Sequence, residues 1–230
     1  MITSLVLLSG GLATRLKPIS HSIPKALIDI NGKPFIEYQL NLLKEQGIKD
    51  IIICVGYLGE QIESFVGDGK SFGVNIKYSY DGEKLLGTAG AIRKALPYLP
   101  ETFFVMYGDS YLPINFKEVS DFFEKNKSPA LMTVIENNDK WDKSNVFFSD
   151  NEVIKYDKVN KIPEMRFIDY GLGIVTKKCF NSVREDEVSD LASIYSDLAN
   201  NRELLGFETN DRFYEIGSFD GIEEFRKYIN

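Results

Sequence analysis

The chain is poor in the side chains that most nucleophilic and metal chemistries require. Its 230 residues include one histidine, His21, and two cysteines, Cys54 and Cys179. A single histidine excludes a histidine-based metal cluster and argues against a histidine-dependent triad. Two cysteines, far apart and each in an apolar context, make no disulfide framework. They read as buried free thiols of a reducing, cytoplasmic compartment. No apolar run approaches the roughly 20 residues that span a bilayer. Met1-Ile2-Thr3-Ser4 lacks the basic region and cleavage site of a secretory signal, so no membrane partner is expected. A net charge of -7 and a pI near 5.0 argue against nucleic acid as a partner. There is no internal repeat and no low-complexity segment. The hydrophobic share of 43% is that of an ordinary packed core.

Against this acidic background, Leu5 to Lys25 stands out. The apolar run Leu5-Val6-Leu7-Leu8 ends in Ser9-Gly10-Gly11, and the loop beyond holds Arg15, Lys17 and Lys25 with no acid. The run suits a strand buried on both faces. Paired glycines let the backbone turn sharply and bring its N–H groups close to an anion. Basic side chains beyond them would neutralise a triphosphate. No Gly-Lys-Ser/Thr follows as in a P-loop, and the dinucleotide spacing Gly-x-Gly-x-x-Gly is absent.

Further along, Lys25–Ile30 reads as a short extended piece and Asn31-Gly32 as a turn. Pro34 suits the first position of a helix running to Gln46, with Gly47 as its stop. Residues 50–55 form a second buried strand, 58–66 a helix and 74–79 a third strand. This βαβαβ order predicts a doubly wound, mostly parallel sheet. Leu86-Gly87-Thr88-Ala89-Gly90-Ala91 opens another helix, with Thr88 as its cap. Its small residues suit close approach of a ligand or tight helix–sheet packing, and the sequence leaves both open. Residues 102–107 form a fourth strand ending in Gly108-Asp109-Ser110, where a carboxylate meets ligands in open α/β sheets. A helix over 116–125 and a strand over 130–135 follow. Residues 137–157, with the sole Trp141, read as a hairpin-rich insert over one end of the sheet. A strand over 167–175 is interrupted by Gly171 and Gly173, which marks close backbone approach. Helices near 177–183 and 189–200 come next. Residues 204–208 and 212–216 read as a closing hairpin, and Ser218 as the cap of a final helix.

Taken in order, Ser9-Gly10-Gly11 with Thr14-Arg15-Leu16, Pro24-Lys25, Leu86-Gly87-Thr88-Ala89-Gly90-Ala91, Gly108-Asp109 and Tyr214-Glu215-Ile216-Gly217 closely resemble the sugar-1-phosphate nucleotidyltransferases. The resemblance implies a Rossmann-like α/β fold, a single catalytic domain over 1–230 without a β-helix tail, and Mg²⁺-dependent attack of a sugar 1-phosphate on the α-phosphorus of a nucleoside triphosphate. It implies that Ser9, Gly10, Gly11, Ala13 and Thr14 cradle the triphosphate, that Arg15 holds the departing pyrophosphate and that Lys25 stabilises charge at the α-phosphate. Gly87 and Thr88 would approach base and ribose, and Asp109 and Glu215 would bind the metal. Asp157, Lys158 and Asp169 would meet the sugar phosphate. A homo-oligomer is compatible with it.

The chain departs from the family pattern in four places. Ala13 stands where the loop commonly has glycine, and Glu215 stands where aspartate is usual. Asp157-Lys158 replaces Glu-Lys-Pro, and Asp169-Tyr170-Gly171 replaces Asn-x-Gly. The last two leave the acceptor open. The lean is GTP with a heptose or mannose 1-phosphate. The alternatives are a cytidylyltransferase acting on an alcohol phosphate such as phosphocholine, and a non-catalytic regulatory paralogue that binds nucleotide sugars.

Overall fold

The computed structural model describes residues 1–11, 16 and 22–230. In chain order the elements are β1 (Ser4–Leu8), β2 (Asp29–Ile30), β3 (Lys33–Pro34), α1 (Phe35–Glu45), β4 (Asp50–Val55), α2 (Gly59–Val66), β5 (Asn75–Tyr80), α3 (Gly87–Ala95), β6 (Thr102–Tyr107), β7 (Ser110–Tyr111), α4 (Phe116–Asn126), β8 (Ala130–Glu136), β9 (Val146–Ser149), β10 (Glu152–Tyr156), β11 (Phe167–Thr176), α5 (Leu191–Asn200), β12 (Leu204–Glu208), β13 (Tyr214–Glu215) and α6 (Phe219–Tyr228).

Nine strands make one sheet in the order β5-β4-β1-β6-β11-β8-β12-β10-β9. Its first four strands are parallel, with Leu8 level with Cys54 on one side and Tyr107 on the other. Their side chains alternate between the faces: Leu5, Leu7, Ile51 and Ile53 join α1, α2 and α4, while Val6, Ile52 and Cys54 join α3 and α5. Burial on both faces explains why these strands read as unbroken apolar runs. The chain leaves β1 toward β4 and β5 and returns on the other side as β6. The carboxyl ends of β1 and β6 therefore flank a topological switch point, where open α/β sheets bind ligands.

The other half of the sheet is mixed. β11 runs antiparallel to β6 and β8, and β12 parallel to β8. The expected hairpin is β9–β10, and it joins the sheet by hydrogen bonds: β10 pairs with β12, and β9 returns to β11 at Val146–Phe167. The expected closing hairpin does not form. β12 enters the sheet beside β8, and β13 pairs antiparallel with β7 in a separate ribbon. Burial decides the split. Leu204 is buried beside β8, whereas Tyr214 stacks on Tyr228 at 4.1 Å.

Two local readings shift. Residues 25–27 form a 3₁₀ turn and the paired strand is only Asp29–Ile30, which meets β3 across Asn31-Gly32, both at positive φ. Pro34 is the N-cap of α1 and not its first helical residue. Ser218 caps α6 as expected, accepting from the Gly221 N–H. A third core lies under α6, where Phe225 meets Phe35 at 5.2 Å and Tyr111 at 4.9 Å. Leu16 is buried in it. Cys54 is buried, Cys179 is half-buried, and both are free. Among the described residues no helix is long and apolar enough to cross a membrane.

Candidate active site

A cavity of about 250 Å³ opens at the switch point. Ser9, Gly10 and Gly11 from the end of β1, Lys25, Gly87 and Thr88 from the start of α3, and Asp109 after β6 stand in its wall. The two strand ends are drawn tight: the Gly108 N–H donates to the Leu8 carbonyl at 2.9 Å. A Cβ at Gly108 would meet that carbonyl oxygen at 2.6 Å. Only glycine lets the Asp109 loop lie this close to the phosphate-binding turn.

Lys25 and Asp109 form an ion pair at 2.8 Å across the mouth of the cavity, both partly exposed. Buried Gln39 on α1 holds the loop behind them, donating to the Ser110 carbonyl at 2.7 Å. The Ile216 N–H donates to the Asp109 carbonyl at 2.9 Å, and Glu215 stands opposite Ser110. Glu215 on β13 thus lies beside the turn that carries Asp109, and these are the two carboxylates expected at a metal. Ala13, Thr14 and Arg15, expected at the triphosphate, lie outside the described residues.

Gly87 and Thr88 stand in the cavity wall, and tight packing accounts for the small residues there. A Cβ at Gly87 would meet the Ser189 carbonyl oxygen at 2.5 Å, and one at Gly90 would collide with the Glu187 carbonyl. Gly90 costs the helix up to about 1 kcal/mol against alanine. Backbone packing against residues 187–189 demands it. Thr88 does not cap α3. Its hydroxyl accepts from the Leu191 N–H at 2.7 Å and donates to Asp190 Oδ1 at 3.1 Å, both at the start of α5.

The residues expected at the acceptor are not in the cavity wall and gather beyond Tyr107. Asp169 on β11 accepts from the Tyr156 hydroxyl at 3.3 Å and the Gly171 N–H at 3.0 Å. Burial raises its pKa, and Lys158 opposes the rise. Lys158 is exposed, its Nζ 5.6 Å from the Tyr107 ring centre. Asp157 turns into its own loop, accepting from the Val159 and Asn160 N–H groups at 2.8 Å each, which lowers its pKa. It shapes the loop that presents Lys158.

Sequence reasoning missed Asp81 and Tyr107. Asp81 lies buried in the cavity wall, 7% exposed, accepting from the Leu86 N–H at 3.1 Å. Burial raises its pKa against the Leu86 hydrogen bond and the Lys94 charge. The Tyr107 hydroxyl is buried without a hydrogen-bond partner among the described residues. Asp81 directly follows β5, and an acid just past a strand on this sheet was the available signal.

Fold and site together define a nucleotide-handling enzyme of the Rossmann-like α/β class: a glycine turn, a lysine and a strand-end aspartate converge at the switch point of its sheet. The chain belongs to the nucleotidyl transferase family, whose model matches residues 4–156. Over 214 residues it is 32% identical to the D-glycero-alpha-D-manno-heptose 1-phosphate guanylyltransferase of Campylobacter jejuni, covering 92% of this chain and 93% of that protein. The crystal structure of HddC from Yersinia pseudotuberculosis matches over the whole of both chains, with a TM-score of 0.83 and 25% identity. Its complex with GMP-PN does so at 0.81. A shorter likeness, 57% over 58 residues and 25% of each chain, is to the choline-phosphate cytidylyltransferase of Streptococcus pneumoniae.

Proposed function

We propose that this chain transfers a guanylyl group from GTP to a heptose or mannose 1-phosphate, releasing pyrophosphate, with Mg²⁺ as cofactor. The observation that carries the reading is the Lys25–Asp109 pair beside the Ser9-Gly10-Gly11 turn. Two polyanions must be brought together and aligned, and Lys25 puts a cation in the wall where they would meet. The turn's N–H groups bind the triphosphate, and Arg15 holds its departing end. Lys25 stabilises the charge that grows at the α-phosphate. Asp109 and Glu215 offer hard oxygens suited to Mg²⁺. No group of three or more His, Cys, Asp or Glu gathers among the described residues, so substrate oxygens would complete the shell. When bound, the metal neutralises the α-phosphate. The free thiols support a reducing, cytoplasmic setting.

Asp81 supports guanine. Guanine offers adjacent N–H donors on N1 and N2 that one carboxylate accepts together, whereas uracil flanks its single N–H with carbonyls. Asp81→Asn is expected to lower kcat/KM for GTP by roughly ten- to a hundredfold and to narrow the preference for GTP over UTP. Because burial raises the Asp81 pKa, the folded protein holds this proton more tightly than the unfolded chain. Stability from that protonated form is present in acid and declines as pH rises from the ordinary carboxylate value through the raised one. Asp81→Asn therefore gains in Tm over the native protein at neutral pH, and the gain vanishes in acid. An unchanged Tm difference across pH would mean that burial does not raise the Asp81 pKa.

On the acceptor side, Lys158→Ala is expected to raise KM for the sugar phosphate and leave that for GTP nearly unchanged, since one exposed ammonium faces a dianion in a separate subsite. Equal loss for both substrates would put Lys158 elsewhere. The test of the whole reading is pyrophosphate release from four nucleoside triphosphates, each offered several sugar 1-phosphates and phosphocholine. GTP with a heptose or mannose 1-phosphate is the expected pair. The short likeness to a choline-phosphate cytidylyltransferase carries the second reading, which turnover of CTP with phosphocholine would establish. Binding of nucleotide sugars without turnover by any pair would make the chain a regulatory paralogue.

A further inference from the structure

The nucleotide cavity and the acceptor cluster are built on different halves of the chain, yet one helix touches both. α5 begins against α3. The Ala89 and Gly90 N–H groups donate to the Ser189 carbonyl at 2.9 and 3.2 Å, and the Ser189 N–H returns a bond to the Leu86 carbonyl at 2.9 Å. The Thr88 hydroxyl closes the join, taking the Leu191 N–H and giving its proton to Asp190. Asp190 is the N-cap of α5, accepting from the Ala192 N–H at 2.8 Å. The first turn of α5 is thus held in part by a residue of the cavity wall.

One turn further, α5 carries Tyr195, which is buried. Its hydroxyl sits over Gly173, where a Cβ would collide with it. Its ring meets Tyr156 edge-on, with centres 6.1 Å apart. The Tyr156 hydroxyl donates to Asp169, which the Lys158 charge also reaches. Tyr156 and Tyr195 are each at most 2% exposed, so a shift at the start of α5 reaches Asp169 through close-packed groups.

We propose that Thr88 is a positioning residue: its hydroxyl fixes the start of α5 to the nucleotide wall and thereby sets Tyr156 and Asp169 for the phosphorylated acceptor. This rests on the acceptor subsite proposed above. A hydroxyl whose donor and one lone pair are engaged by Asp190 and Leu191 serves the join between the two sites before it serves a ribose.

Thr88→Val keeps the shape and removes both hydrogen bonds. It is expected to raise KM for the sugar phosphate about tenfold, to leave KM for the triphosphate near its native value, and to be rescued by Thr88→Ser. Asp190→Ala, a second variant, reproduces the split. Amide hydrogen exchange supplies a readout independent of turnover. In Thr88→Val the Leu191 amide and the Gly171 amide, which donates to Asp169, exchange faster, while α4 is unaffected. A rise in the triphosphate KM alone would make Thr88 a ribose contact and overturn the proposal. So would native exchange at Gly171, because the shift would then stop at α5. If native protein turns over no sugar phosphate, the proposed function fails, and exchange at Gly171 still decides whether Thr88 sets Asp169.

Discussion

Lys25→Ala is expected to lower kcat by roughly two to three orders of magnitude, with a much smaller rise in KM for the triphosphate. The ammonium lies 2.8 Å from the Asp109 carboxylate at the cavity mouth, and Lys25 opens the 3₁₀ turn that follows Pro24. In the ground state a triphosphate would have other partners in the glycine turn. In the transition state charge grows at the α-phosphate, and a preorganised cation there stabilises it more than it stabilises the bound substrate. Such an interaction appears in kcat, whereas uniform binding appears in KM. Lys25→Arg keeps the charge but replaces a compact ammonium with a wide planar fork, so partial activity is expected. Steady-state rates of pyrophosphate release check both variants. A native kcat for Lys25→Ala would reduce Lys25 to a solvated loop charge paired with Asp109.

Asp109→Asn and Glu215→Gln are each expected to remove about 4 kcal/mol of transition-state stabilisation, roughly a thousandfold in rate, and to raise the Mg²⁺ concentration needed for the remaining activity. The Ile216 N–H bond to the Asp109 carbonyl and the Glu215–Ser110 register set Glu215 on β13 beside the turn that carries Asp109. The flanking side chains face away into packed aromatic and aliphatic groups: Tyr214 stacks on Tyr228, and Ile216 is fully buried. A divalent ion held by both carboxylates would offset their mutual repulsion. Because Lys25 and Asp109 touch, the double variant Lys25→Ala with Asp109→Asn should lose less than the two single losses combined. Full activity of Glu215→Gln at low Mg²⁺ would leave Asp109 working with substrate oxygens alone.

Local order was legible wherever one segment's own pattern decided it. The apolar runs over 50–55 and 102–107 give β4 and β6 at the expected bounds, because strands buried on both faces tolerate no polar interruption. Asn31-Gly32 turns where it should, since its two positive φ angles suit few other pairs. Misreadings arose where a partner was chosen from afar. β12 and β13 are near neighbours in sequence, yet each pairs with a strand from the earlier chain. Thr88 has the right chemistry for a cap and caps another helix, 103 residues on.

The sequence by itself determined the alternation of strands and helices, the glycine turn after β1, and the acids and lysines that the family resemblance marks as the site. These follow from periodicity, turn chemistry and motif order, which are local and are written in consecutive residues. Only the tertiary structure decided which of them meet. Lys25 reaches Asp109 across 84 residues, Asp81 and Tyr107 become part of the site, and Asp157 turns away into its own loop. Such meetings depend on which strands lie side by side and which helix faces are buried against them. A pattern of burial records that a residue is covered, and the packing of the whole chain selects what covers it.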